Sequence, residues 1–477
     1  MMKILQKILY QLAKAILNKY KPKVIGITGS VGKTSAKEAV FAVLSGKFRI
    51  GRGFKNYNNE LGVPLTIINA ETGGKNIFKW FCVFARALKL IFARDGKLNC
   101  GSACKAISDS VGKFDYDSDG KVISERSQDY PEILILEMGA DKPGDIKYLT
   151  KLAPCDIGIL TAIGPTHLEQ FKTIKKVAEE KQIIIKHLKA NGWAIINYDD
   201  ELAKAAAEKI SARVLSFGFG DGADLRAEEI KLIQEGSAVD TQTEAADAQV
   251  LAWPLVLKGV TFKMRYGGAL MPVALIGMAG KQAVYAALSG AAVGLAFGMN
   301  LLEIAERLKF FQPLPSRMRI ISGIKKTVLI DDSYNSSPKA ALAALDFFQE
   351  IKVAPGAKKI AALGDMLELG SYMEEGHKLI GQKVVEAGAD FLVTVGQGGK
   401  VIAEAALENG FLKDKIAKFD KSELVGKFLA EKIERGDLLL IKGSQGVRME
   451  KIVVELMSEP IKAKELVCRQ DEDWKEK

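Results

Sequence analysis

The chain has 477 residues, room for roughly three domains. Hydrophobic residues make up 48% and charged residues 26%, the balance of an ordinary globular protein rather than a disordered or fibrous one. The formal net charge is +10, but the lysines are scattered, with no arginine-rich block and no basic–aromatic interleaving. That argues against nucleic acid and for anionic small substrates or an anionic membrane surface.

Five cysteines, Cys82, Cys100, Cys104, Cys155 and Cys468, are odd in number and irregularly spaced, so a reducing compartment is expected and no disulfide framework. Cys100 and Cys104 lack a second cysteine pair or a nearby histidine, which argues against zinc. No apolar run reaches the roughly 18 uncharged residues of a membrane span. Lys7 interrupts the only candidate core of a signal peptide.

Residues 1–21 predict a helix, because Ile4, Leu5, Ile8, Leu9, Leu12, Ile16 and Leu17 recur at helical spacing. Its charged positions, Lys3, Lys7, Lys14, Lys19 and Lys21, are all basic. Such a helix can lie on an anionic membrane or pack on the first domain, and the pattern fits both.

Val24 to Ser35 reads VIGITGSVGKTS. An apolar strand ends at Thr28, a glycine-rich turn follows, and a helical pattern runs from Ala36 to Leu44. This is the context of a phosphate-binding loop, although Ile27 stands where the strict pattern wants the first glycine. Gly29 and Gly32 would let backbone N–H groups approach phosphates at a helix N-terminus. Lys33 could reach the β- and γ-phosphates, and the Thr34 hydroxyl could ligate Mg²⁺.

Beyond it, the amide-rich Lys55 to Thr66 reads as a structured loop. Residues 71–130 read as an insertion. Its first part, Asn76 to Ala93, is apolar and aromatic with Lys79, Arg86 and Lys89 interspersed, a second helix open to interfacial, core or dimer packing. Its second part, Ser108 to Gln128, is polar and predicts a loop.

Ile133 to Leu136 is a buried strand of parallel type, ending at Glu137. Ile157 to Thr161 is another, leading to Gly164-Pro165-Thr166-His167. Acidic and polar residues at strand C-termini sit where α/β proteins hold ligands. Ile174 to Leu188 predicts a helix carrying Lys181, strands follow at 193–197 and 214–218, and residues 222–276 read as β-hairpins. The Ala- and Gly-rich stretch Gly277 to Phe297 predicts a closely packed helix. Pro313 and Pro315 mark a boundary before Arg317, after which strand and helix alternate to the charged tail. The expected organisation is an α/β chain. Residues 1–21 form a basic helix, 22–312 a P-loop ATPase-type domain with a mainly parallel sheet, 313–460 a Rossmann-like α/β domain and 461–477 a tail.

The motifs together resemble the Mur ligase family over roughly residues 22–457. They are TGSVGKTS (28–35), NYNNELGVPLT (56–66), EMGADKPGDI (137–146), THLEQF (166–171), AEEK (178–181), SRM (316–318), DDSYNSSP (331–338), LGDMLELG (363–370) and KGSQGVRME (442–450). The last three resemble the member that adds D-Ala-D-Ala to a UDP-linked muramoyl tripeptide in peptidoglycan precursor synthesis. The resemblance implies an ATP-dependent amide ligase working through an acyl phosphate, with ATP and two Mg²⁺ ions. It implies ATP contacts from Gly29, Ser30, Val31, Gly32, Lys33, Thr34 and Ser35, and from Arg317, Asp332 and Asn335 of the C-terminal domain. Thr34 and Glu137 match ligands of one Mg²⁺, and His167 matches a ligand of the second. Lys181, fourteen residues after His167, matches a carbamylated lysine there. The implied catalytic group is Lys33, Glu137, His167 and Lys181. The implied protein is a cytoplasmic monomer with no nucleic-acid partner, placed at the inner membrane face if residues 1–21 and 76–93 touch lipid.

Three features depart from the family. Its N-terminal UDP-holding domain is not recognisable before the phosphate loop. Its G-x-H-N-x-x-N helix reads Gly280-Lys281-Gln282-Ala283-Val284-Tyr285-Ala286, so both asparagines expected near the adenine are alanines. Ser336-Ser337-Pro338 replaces Ala-Asn-Pro. Two other readings stay open: a Mur-type ligase with a different, lipid-linked acceptor, and a non-catalytic ATP-binding scaffold at the membrane.

Overall fold

The computed structural model describes residues 2–53, 57–93, 130–235, 256–471 and 474. The loop expected over Ser108 to Gln128 lies outside them, as do Asn56, Cys100 and Cys104.

Two sheets organise the chain. The first contains β1 (Lys23–Thr28), β2 (Ile50–Arg52), β3 (Ile133–Glu137), β4 (Ile157–Leu160), β5 (Trp193–Asn197), β6 (Arg213–Gly218), β7 (Leu225–Glu235), β8 (Val256–Tyr266) and β9 (Ala269–Ile276), in the order β2-β3-β1-β4-β5-β6-β7-β8-β9. β1 to β6 pair in parallel, and β7-β8-β9 extend the sheet as antiparallel hairpins, as the alternating residues of 222–276 predict. β1, β3 and β4 are near-continuous apolar runs because both their faces are covered. Ile25, Ile27, Ile133 and Ile135 point to one face, under α2 (Lys33–Leu44) and the helix Lys281–Ala296. Val24, Leu134 and Leu136 point to the other, under α1 (Met2–Tyr20), α3 (Gly62–Ile68), α4 (Ile77–Phe92) and the helix Asp145–Leu152.

The second sheet contains β10 (Arg319–Ser322), β11 (Val328–Asp332), β12 (Lys359–Gly364), β13 (Phe391–Val395), β14 (Ile416–Phe419) and β15 (Leu438–Lys442), in the order β10-β11-β15-β12-β13-β14. Only β10 is antiparallel. One hydrophobic cluster runs from the first sheet's α2 face to the second sheet, through Met278, Met318 and Phe347. The two sheets are therefore held by a common core.

Two helices differ from expectation. The one predicted over Ile174 to Leu188 is helical at Ile174–Lys181, turns at Gln182 and resumes only for Ile183–Lys186. The one predicted from Gly277 starts at Lys281, because Gly280 takes φ +83° and a β-bridge joins Met278 to Arg319. Near the C-terminus, Ala463–Leu466 is a short helix, Val467 is buried, and the Cys468 N–H donates to Ser316 Oγ at 3.0 Å.

Candidate active site

The C-terminal ends of the parallel strands in both sheets open on one cleft of about 730 Å³. This is where open α/β sheets hold ligands, since the strand ends leave loops and helix N-termini free to converge.

One wall is the loop after β1. Gly29 and Gly32 have φ +152° and +88°, and a side chain on Gly29 would meet Thr161 Oγ1 at 2.0 Å. Glycine is required there by space as well as by conformation. The helix α2 begins at Lys33 and aims its first-turn N–H groups at the cleft. Lys33 Nζ donates to Gly29 O at 2.7 Å, and burial lowers its pKa against the opposing pull of Glu137.

Thr34 Oγ1 accepts from Arg317 Nη2 at 3.1 Å, and the Arg317 guanidinium lies 3.9 Å from the centre of the Tyr334 ring. Arg317 thus reaches from the second sheet's side onto the phosphate loop. Glu137, at the end of β3, is buried. Its Oε1 accepts from Asn58 Nδ2 at 3.3 Å, and its Oε2 has no hydrogen-bond partner among the described residues. A buried carboxylate oxygen left bare is costly, and in the cleft that the Thr34 hydroxyl also lines it is a ready donor for a hard cation.

His167, at φ +51°, also lines the cleft. Its Nδ1 is 3.0 Å from Glu368 Oε2 and its Nε2 is 3.7 Å from Asp141 Oδ1. Lys181 is 2% exposed and lies outside the cleft lining. Burial first, then the Lys33 charge, brings its pKa down to about 7, with Glu180 and Asp141 acting the other way. Glu180 accepts from the backbone N–H groups of Gly144 and Ile146 at 2.8 and 2.7 Å.

The facing wall is built from side-chain pairs. Asp332 and Lys442 end the neighbouring strands β11 and β15, in register, with Oδ2 and Nζ 2.5 Å apart. Asp332 Oδ1 accepts from Met318 N at 3.1 Å, and Lys442 also donates to Asn335 O at 3.0 Å. Behind them Glu450, fully buried, bridges Arg448 at 2.5 Å and Arg469 at 3.1 Å. Arg469 also donates to Ser333 O and Tyr334 O, which holds the 331–335 turn in place.

The third end of the cleft is apolar, with Met278, Ala279, Phe311, Pro313, Leu314 and Met318 on its wall. Gln282 sits among them, its Oε1 buried and without a hydrogen-bond partner among the described residues. Ala283 lines the same end, while Tyr285 turns away and donates to Asp199 Oδ2 at 2.8 Å.

Residues 120–260 match the model of the Mur ligase middle domain, and residues 316–445 match the Mur ligase glutamate ligase domain. The chain belongs to the Mur ligase family. It is 28% identical over 455 residues to the UDP-N-acetylmuramoyl-tripeptide–D-alanyl-D-alanine ligase of Bacillus subtilis, covering 95% of this chain and 80% of that one. With its Escherichia coli namesake the identity is 24% over 446 residues, covering 93% and 78%. Among solved structures, the Thermotoga maritima MurF ligase in complex with ADP superposes with a TM-score of 0.68 at 24% identity, covering 94% of this chain and 83% of that one. The Mycobacterium tuberculosis folylpolyglutamate synthase complexed with ADP gives 0.57 at 16%, covering 94% of each.

In this Mur ligase the fold brings Lys33, Thr34, Glu137, His167, Arg317, Asp332 and Asn335 to one cleft, with Lys181 buried behind it. Among the described residues no group of three or more His, Cys, Asp and Glu side chains is arranged as a metal site. Sequence reasoning gave no role to Lys442, Asp141, Glu368, Asn58 or Gln282. Each lies in or beside a quoted motif, but only the strand order shows which ones meet.

Proposed function

We propose that this Mur ligase uses ATP to join D-Ala-D-Ala to a UDP-N-acetylmuramoyl-tripeptide, through an acyl phosphate, with release of ADP and phosphate. One observation carries the reading. The three segments that resemble the D-Ala-D-Ala-adding member supply Asp332, Asn335, Glu368, Lys442 and Ser444 to the wall that faces Lys33.

In the proposed reaction a carboxylate oxygen of the tripeptide attacks the γ-phosphorus, and the bond from that phosphorus to the ADP oxygen breaks. Two anions must meet, so the cations at the loop set the rate. Lys33 and the first turn of α2 hold the β- and γ-phosphates, and Arg317 brings a second positive charge from the opposite wall. The amine of D-Ala-D-Ala then attacks the acyl carbon, phosphate leaves, and the amine loses its proton. The two walls shield the acyl phosphate from water. Asp332 and Asn335 orient the nucleotide from the second sheet.

The donors fit Mg²⁺. Glu137 offers a buried oxygen with no hydrogen-bond partner among the described residues, the Thr34 hydroxyl lines the same cleft, and His167 with a carbamylated Lys181 would hold a second ion. When bound, the ions neutralise phosphate charge. A lysine with a pKa near 7 is largely neutral at slightly alkaline pH and can add CO₂. The new N–C bond and the released proton leave an anionic carbamate beside the Lys33 charge that depresses the free amine.

The test is phosphate release with ATP, Mg²⁺, UDP-muramoyl tripeptide and D-Ala-D-Ala, each omitted in turn. Release that needs both substrates, with a pentapeptide product by mass, is the expected result. Release only with a lipid-linked muramoyl peptide would replace the acceptor. No release with either, from protein that binds ATP, would leave the scaffold reading.

A further inference from the structure

The helix α4 sets Lys79, Arg86 and Lys89 among apolar residues, and one of its apolar faces lies at the surface. Val83, Ala87 and Leu90 are buried against the first sheet's outer helices. On the other side Phe78, Phe81, Ala85, Leu88 and Phe92 follow one another at steps of three and four residues and form a single exposed stripe. Phe78, Phe81 and Phe92 are 83%, 71% and 75% exposed, and Ile77 beside them is 82% exposed. A helix with two apolar faces is expected in a core, so something covers the outer one.

α1 is tied to it. Lys19 Nζ donates to the last carbonyls of α4, those of Leu90, Ile91 and Ala93, at 2.8, 3.0 and 2.6 Å, and Tyr20 Oη donates to Leu90 O at 2.9 Å. A lysine there satisfies carbonyls that the helix end leaves open. α1 buries Leu9, Ala13 and Ile16 and leaves Ile4 and Ile8 exposed, with Lys3, Lys7 and Lys14 exposed around them. Neither helix contains an aspartate or glutamate.

We propose that α1 and α4 form a docking surface for an anionic lipid bilayer, with the α4 stripe inserted at the level of the headgroups and the α1 lysines over the lipid phosphates. Charge decides between lipid and a second copy. Two copies joined symmetrically through this face would set basic surfaces against each other, with no carboxylate on either helix to pair with them. Anionic lipid supplies the missing charge, and fluid acyl chains accept protruding phenylalanine rings without a shaped groove. The surface is independent of the ligase reading, since none of its residues lines the cleft.

The experiment is co-sedimentation of the full-length protein with vesicles of phosphatidylcholine alone, and of phosphatidylcholine mixed with phosphatidylglycerol. The expected result is binding to the anionic vesicles, weakened by salt, and reduced about tenfold or more in Phe78→Ser/Phe81→Ser, whose rings are exposed and leave the core intact. Ile461→Ser, an equally exposed apolar residue elsewhere, should bind as the parent does. Unchanged thermal melting of both variants excludes misfolding as the cause. No sedimentation, or sedimentation that ignores the stripe, overturns the proposal. A dimer in sedimentation velocity that Phe81→Glu dissolves would give the surface to a second copy instead.

Discussion

The two walls of the cleft hold charge by different means. The loop wall is made from neighbours in sequence: Gly29 to Ser35 place backbone N–H groups, one lysine and three hydroxyls in a short run, shaped by glycine geometry. The facing wall rests on side-chain pairs, since Asp332 meets Lys442 across two strands 110 positions apart and Glu450 is clamped between Arg448 and Arg469. A backbone wall keeps its shape whatever the side chains do. A side-chain wall depends on each partner, because removing one member leaves a buried charge alone. Mutations on the first wall should therefore strike chemistry, and mutations on the second should strike stability as well.

The largest expected effect is at the loop. Lys33→Ala should lower kcat by about 1000-fold while leaving the thermal midpoint nearly unchanged, because among the described residues its side chain donates to a loop carbonyl, that of Gly29. Phosphate release and a melting curve on the same sample test both halves. A fall in stability that matched the fall in rate would break the contrast between the walls.

Next is Lys181. Lys181→Ala should lower turnover by about 100-fold, and added formate or acetate should restore part of it, since a small carboxylate can stand in for the carbamate. The sign of the pH effect follows from the depressed pKa. The folded amine titrates near 7 and the unfolded one near 10.5, so between those values the unfolded chain binds more protons. Stability of CO₂-depleted protein should rise with pH across that window, and the rise should shrink in Lys181→Met. A flat difference between the two proteins would mean that Lys181 is not held as a neutral amine.

The facing wall gives the third prediction. Asp332→Ala leaves Lys442 buried without its carboxylate and should cost about 3–5 kcal/mol of stability, measured by denaturant unfolding. Lys442→Met alone should cost a similar amount, and the double variant should cost much less than their sum. Additive losses would show that the two side chains are not a pair in solution.

These contrasts explain how much the sequence could reveal. The strand–turn–helix around Thr28 to Ser35 was legible because its pattern is written in eight consecutive residues. The parallel strands were legible because burial on both faces makes them continuous apolar runs, as in Ile133 to Leu136. The Asp332–Lys442 pair was not, because residues separated by 110 positions meet only through a strand order that no local pattern encodes. The interruption at Gln182 left no mark in the apolar helical pattern, because Gln182 keeps helical φ and ψ and its N–H still bonds Ala178 O. α4 is the instructive middle case. Its sequence fitted both a packed and an interfacial helix, and the structure shows a buried face and an exposed face on the same sixteen residues.

The smallest effect is expected at the apolar end, where this chain departs from the family's asparagines. Gln282 Oε1 is buried at the apolar end with no hydrogen-bond partner among the described residues, and a glutamine amide offers both a donor and an acceptor. Adenine presents a complementary amino group and ring nitrogen, a pairing that glutamine also makes with adenine in nucleic acids. Gln282→Leu removes that pairing but keeps the apolar slot. It should raise KM for ATP by about tenfold with kcat little changed, because the lost contact is the same in ground and transition states. The preference for ATP over GTP should fall with it, since the lost amide is the group that distinguishes an amino from a carbonyl substituent on the purine. A drop in kcat at unchanged KM would instead place Gln282 with the residues that act on the phosphates, and would move the adenine away from this end of the cleft.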